Sequence, residues 1–76
     1  MQEFLKVDNF DEAIIGYGTK KGCEDSLIYD YEKCVTILIK NQNMSYDEAV
    51  EWMDFNVVDA YMGPNTPIFL RRDFVF

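Results

Sequence analysis

The side chains best spaced to act together are the carboxylates of SYDEAVEWMDFNVVDAYMG, residues 45–63. Residues three or four apart share one side of a helix. That rule groups Asp47, Glu51 and Asp54, and it brings Glu48 and Asp59 onto one side across about three turns. Such oxygens suit a hard divalent cation, but the EF-hand spacing is absent. Acid–base work needs a convergent partner group, and none is apparent, so a solvated surface is the expected reading. The chain has no histidine. This removes Ser-His-Asp and Cys-His catalysis, imidazole metal ligation and the commonest general base. Cys23 and Cys34 are the only cysteines and do not form a CxxC pair. Two thiols alone cannot build a structural zinc site. One disulfide between them stays open, although Cys34 lies in an apolar helical run and reads as a small core residue. Gly16 and Gly18 do not open a nucleotide-binding loop, because the third glycine of G-x-G-x-x-G would fall at Lys21. The expectation is a protein that binds without catalysing, with no catalytic residue, cofactor or metal ligand.

The element carrying these carboxylates has a strong start and stop. Ser45 and Glu48 have the S-x-x-E spacing of a capping box, and Met44 and Ala49 could add a hydrophobic staple. Gly63 suits a left-handed helix end, and Pro64 cannot continue the helix. A single helix is expected from Tyr46 to Met62. At roughly 100° per residue, Tyr46, Ala49, Val50, Met53, Val57, Ala60 and Tyr61 fall on one inward stripe. The opposite arc carries Asp47, Glu48, Glu51, Asp54 and Asp59. Trp52, Phe55 and Met62 lie within or beside that arc, where an amphipathic helix normally avoids large apolar groups. Either a second element covers them or a partner does.

Seventy-six residues with a net charge of −7 set the remaining limits. A chain this short buries only ~60–65% of its unfolded surface. Its core must come from large side chains, and six Phe, five Tyr and one Trp supply them. That composition argues against intrinsic disorder. The basic residues are scattered, with short pairs at Lys20-Lys21 and Arg71-Arg72, so direct nucleic-acid binding is disfavoured. The acidity fits solubility, or a basic partner such as a nucleic-acid-binding protein. No apolar run approaches a membrane span. The opening QEFLKVDNF lacks a basic start and a long apolar middle, so a reducing cytoplasm is the expected setting.

In chain order, Gln2 to Val7 reads as a helical turn or an extended arm, broken at Asp8-Asn9. Phe10-Asp11-Glu12 can start one helical turn. Ala13 to Gly18 and Ser26 to Tyr29 read as short strands, which a loop centred on Gly22 could join as a hairpin. Asp30 caps the next helix, whose inward stripe is Tyr31, Cys34, Val35 and Leu38, widened by Ile37 and Ile39. That helix runs to about Asn41, and the short link Asn41-Gln42-Asn43 implies a helical hairpin. After the turn Pro64-Asn65-Thr66-Pro67, a third strand is expected at Ile68 to Leu70, continuing towards Phe76. The fold expected is one α+β domain over residues 1–76: a small, mainly antiparallel three-stranded sheet packed on a helical hairpin, in the order β-β-α-α-β. Asn56, at the margin of the capped helix, is expected to tie down the Gly63-Thr66 turn or the Tyr29-Asp30 corner. The sharper alternative is a small-ligand site where Asn56, Thr66 and Tyr17 or Tyr29 converge.

The patterns FDEAIIGYG, LIYDYEKCVTILIK and MSYDEAVEWMDFNVVDAYMGPNTPIFL together resemble a family of small acidic proteins encoded by tailed bacteriophages and by bacteria carrying their genes. The resemblance covers about Phe10 to Leu70. It is most specific at Tyr29-Asp30, Glu48-Ala49, Phe55-Asn56 and Ala60-Tyr61 through Gly63 to Thr66-Pro67. It implies an origin in a phage and the host cytoplasm as the place of action, and it carries no catalytic residue. By analogy of class, small acidic phage proteins include many that bind and disable a host enzyme. The expected function is accordingly a non-enzymatic accessory protein that binds a host protein, inhibiting a defence or nucleic-acid-handling enzyme. The interaction residues would be Asp47, Glu48, Glu51, Trp52, Asp54, Phe55, Asp59 and Met62. Carboxylates three or four apart on a helix rise by roughly 4.5–6 Å, near phosphate spacing, so the face could mimic a nucleic acid. Self-association through the C-terminal edge strand is the second reading, and a small-ligand-binding protein near Asn56 the third.

Overall fold

The computed structural model describes residues 4–22, 24–58, 63 and 65–72. A 3-10 turn, Asp11–Ala13, leads into strand β1, Ile14–Gly18. Strand β2, Ser26–Asp30, follows, then helix α1, Tyr31–Gln42, and helix α2, Tyr46–Met53. A π-helical turn, Asp54–Val58, extends α2, and strand β3, Ile68–Leu70, completes the order β-β-α-α-β. The class is α+β, as the sequence predicts.

The sheet is mixed, in the order β1-β2-β3. β1 pairs with β2 antiparallel, with Gly16 opposite Ile28 and Gly18 opposite Ser26. A bulge interrupts the register between Ile14 and Gly16. Gly18 meets the need for close approach, because a Cβ there would lie 3.3 Å from Ile28 Cδ1. β3 joins β2 in parallel, with Tyr29 opposite Phe69. The expectation of a mainly antiparallel sheet therefore holds for the hairpin, while the returning strand runs the other way. The intervening helix pair makes this possible, since parallel strands need a long crossover.

The helices form where the capping chemistry is local. Asp30 accepts a hydrogen bond from Lys33 N, and Asn43 closes α1 in the left-handed conformation at φ 56°. Ser45 and Glu48 form the complete capping box of α2: Glu48 N donates to Ser45 Oγ and Ser45 N donates to Glu48 Oε1. Met44, the expected staple residue, is half-buried against the core. Tyr31, Cys34, Val35 and Leu38 of α1 are buried, as are Ala49, Met53 and Val57 beyond them. Tyr29, fully buried in central β2, stacks on Phe69 with ring centroids 5.5 Å apart. The helices thus cover the sheet face that carries Tyr29 and Phe69. Ile68 and Leu70 point from the other face and are exposed.

Three local expectations need correction. The single helix to Met62 is instead α-helical only to Met53, with a π turn from Asp54 to Val58. Ala60, Tyr61 and Met62 lie outside the described residues. Tyr46, placed on the inward stripe by periodicity, is 55% exposed. It occupies the first position of α2, where side chains have no earlier turn to pack beside. Asn56 does not reach the Gly63-Thr66 turn or the Tyr29-Asp30 corner, because its Nδ2 donates to the Trp52 carbonyl one turn back at 3.3 Å. Thr66 N instead donates to Gly63 O at 3.1 Å, so that turn is closed by its own backbone. Continuation of β3 over residues 73–76 falls outside the described residues.

Candidate functional site

The capped helix and its π turn present an acidic, aromatic edge to solvent. Asp47, Glu48, Glu51 and Asp54 are all exposed. Phe55 is 72% exposed, and Trp52, at 39%, is partly covered by the described part of the chain. Asp59 and Met62, also expected at this surface, lie outside the described residues. Met53 and Val57, four residues apart, stay buried on one side of the π turn Asp54–Val58, while Phe55 and Asn56 between them face solvent. Such turns occur frequently at functional sites.

The four described carboxylates differ in what they already hold. Glu48 is committed to the capping box, and its hydrogen bonds to Ser45, backbone first, hold its carboxyl below the ordinary glutamate range. Asp54 accepts from the buried Tyr31 hydroxyl at 2.9 Å. That contact ties the start of the π turn to the first turn of α1, and no local pattern around Asp54 marks it. Burial, then the Asp54 carboxylate, pushes the Tyr31 phenol up to about 12. Asp47 and Glu51 lie on the same exposed arc, and their side chains make no hydrogen bond or ion pair among the described residues.

Two concavities adjoin this edge. A shallow one of about 350 Å³ lies between Met44, Glu48, Glu51, Trp52, Phe55 and Asn56. A larger cleft of about 610 Å³ opens between the segment at Val7 to Phe10, the last turns of α1 and the π turn. Its walls include Ile37 and Leu38 opposite Trp52 and Val57. Sequence reasoning missed this cleft. Ile37 signals it only as a residue at the margin of the α1 stripe, and Asn41 and Gln42 read in sequence as linkage. The convergence of Asn56, Thr66 and Tyr17 or Tyr29 does not occur: Thr66 lines a separate hollow with Gly18 and Ile68, and Tyr29 is fully buried.

Elsewhere the polar side chains serve the fold. Asp30 caps α1 and receives Arg72 Nη1 at 2.7 Å, and that guanidinium holds its carboxyl below the usual range. Cys34 is a free, buried thiol, and burial pushes it up to about 12. Cys23 lies outside the described residues. No group of three or more Cys, Asp or Glu among the described residues converges to hold a metal ion. Among the same residues no helix is long and apolar enough to cross a membrane.

What the fold and this edge define is an α+β protein with an uncovered acidic-aromatic surface. Comparison with known proteins adds no family to that description: no family model, curated protein or solved structure matches the chain.

Proposed function

We propose that this is a non-enzymatic accessory protein, of phage origin, that acts in the host cytoplasm by binding a host protein. One observation carries the reading: Phe55 and the outer side of Trp52 stand exposed on a single helical edge beside the carboxylates of Glu48 and Glu51. Exposed aromatics supply the apolar anchors that dominate interface energy, and flanking charge of one sign steers a partner of the other sign. The partner is therefore a protein with a basic surface, such as a nucleic-acid-handling or defence enzyme. Asp47 and Glu51 supply the free charge, four residues and roughly 6 Å apart along the axis, which also suits mimicry of successive phosphates. Asp54 belongs to the scaffold, since it holds Tyr31.

Affinity capture from bacterial lysate tests this. The wild-type chain should retain a basic host protein and release it as salt rises. The double variant Asp47→Lys/Glu51→Lys and the single variant Phe55→Ser should each lose it while remaining folded. Equal capture by the wild type and both variants refutes the reading. A second reading, self-association through β3, is favoured by the exposure of Ile68 and Leu70 on a sheet-edge strand. Light scattering separates the two, because a monomer in dilute solution excludes pairing between copies.

A further inference from the structure

The two concavities beside α2 share Met44, Trp52 and Asn56, so they adjoin at the Trp52 side chain, and a single extended segment could lie along both as one groove. Three features of its lining point to one class of occupant. The charge is of a single sign: Asp8 stands at the larger end and Glu48 and Glu51 at the smaller, with no Lys or Arg in either lining. The polar groups of the larger end are mostly carboxamides, those of Asn9, Asn41, Gln42 and Asn56. Between them the floor is apolar, made by Phe10, Ile37, Leu38 and Val57.

A carboxamide offers a donor and an acceptor, the same pair a peptide group carries, and so matches backbone without neutralising a charge. Backbone entering an apolar cleft with no such partners would lose its hydrogen bonds to water at a cost. Carboxylates at both ends favour cationic side chains spaced along the occupant. A compact ligand would fill one concavity and leave the other. We propose that the groove takes an extended cationic peptide segment of the partner protein. One apolar side chain of that segment sits against Leu38 and Trp52, and a Lys or Arg lies beside Glu48 and Glu51. This names the partner chemistry of the proposed binding edge and rests on that reading.

Trp52 is the only tryptophan in the chain and lines both ends of the groove, so its emission reports occupancy. The probes are three end-capped heptapeptides: Lys alternating with Leu and Phe, Glu alternating with the same residues, and Lys alternating with Ser. Saturable change is expected with the first, at least tenfold tighter than with either of the others. Asn41→Lys places a cation at the larger end, on an exposed residue in the last turn of α1 where a cation suits the helix dipole. It should weaken the first peptide at least threefold with unchanged circular dichroism. Absence of saturation, equal affinity for the Glu or Ser peptide, or indifference to Asn41→Lys overturns the proposal. If lysate capture still depends on Phe55 while Asn41→Lys changes nothing, protein binding stands and the groove's occupant is wrong. If capture survives Phe55→Ser, the binding edge itself is wrong.

Discussion

Replacing Tyr31 by Phe, Asp54 by Ala, and both together, tests whether one hydrogen bond ties the π turn to α1. The Tyr31 ring is 1% exposed and its hydroxyl reaches Asp54 Oδ1 at 2.9 Å. A hydrogen bond to a charged group contributes about 1.5–3 kcal/mol. Asp54 is exposed on its other side, so a value at or just below the bottom of that range, about 1–1.5 kcal/mol, is expected. Tyr31→Phe frees a carboxylate that water can solvate and should cost about 1 kcal/mol. Asp54→Ala leaves the hydroxyl without its acceptor and should cost about 1–2 kcal/mol. The double variant should cost little more than the worse single one, giving a coupling of about 1 kcal/mol. Urea unfolding at neutral pH measures all three, and each kcal/mol corresponds to about 4–8 °C in Tm for a chain of this size. Alkaline pH gives an independent check. The folded phenol titrates at about 12, above the ordinary 10.0, so the unfolded chain ionises first. The Tyr31 contribution is then complete below about 10 and lost as pH rises towards 12, and Tyr31→Phe should flatten that loss. Additive single effects, or an alkaline profile unchanged by Tyr31→Phe, would refute the tie.

Two further outcomes follow from the caps and the core. Ser45→Ala should destabilise the fold by about 1 kcal/mol. Because Glu48 and Asp30 both titrate below their ordinary values, their contributions are present above the unfolded carboxylate range and lost as pH falls through the lower folded values. Thermal melts from pH 6 down to pH 2 should show this, less steeply in Ser45→Ala. In a Cys23→Ser background, the Cys34 thiol should react with a disulfide reagent at least a hundredfold more slowly folded than in denaturant. The folded reaction should keep rising as pH increases from 7 to 10, since burial pushes the thiol to about 12, whereas the denatured thiol should level off above its ordinary 9.0.

What was legible in the sequence was what local chemistry decides. The Ser45/Glu48 box and the Asp30 cap lie within three residues of the amides they serve, and both formed as spaced. The stripe Tyr31, Cys34, Val35 and Leu38 is buried because α1 packs against both the sheet and α2. The misses depend on distant chain. The parallel sense of β3 is set by where the helix pair delivers it, and nothing in Ile68-Phe69-Leu70 encodes that. Tyr46 fits a helical wheel but stands at a helix end, which a wheel does not represent. Asp54 looks like any surface acid until the Tyr31 hydroxyl arrives from twenty-three positions earlier. At the candidate site, Trp52 and Phe55 stand out in the sequence as apolar residues on a wet face. The cleft beside them needs Phe10 and Ile37 brought together by the fold, so it leaves no pattern in sequence.

Tyr29, Asp30 and Tyr31 gather contacts from nearly the whole described chain. Val7 N donates to the Tyr29 hydroxyl at 2.8 Å, and Phe69 stacks on its ring. Arg72 binds Asp30, while Arg71 lies 4.1 Å above the Tyr31 ring, whose hydroxyl holds Asp54. During vectorial synthesis these three residues are made long before Arg71 and Arg72. The junction must then wait, half-dressed, until the ribosome has added some forty more residues. A purified chain truncated before Leu70 should be protease-sensitive at α1, and a chain that includes Arg71 and Arg72 should be protected there.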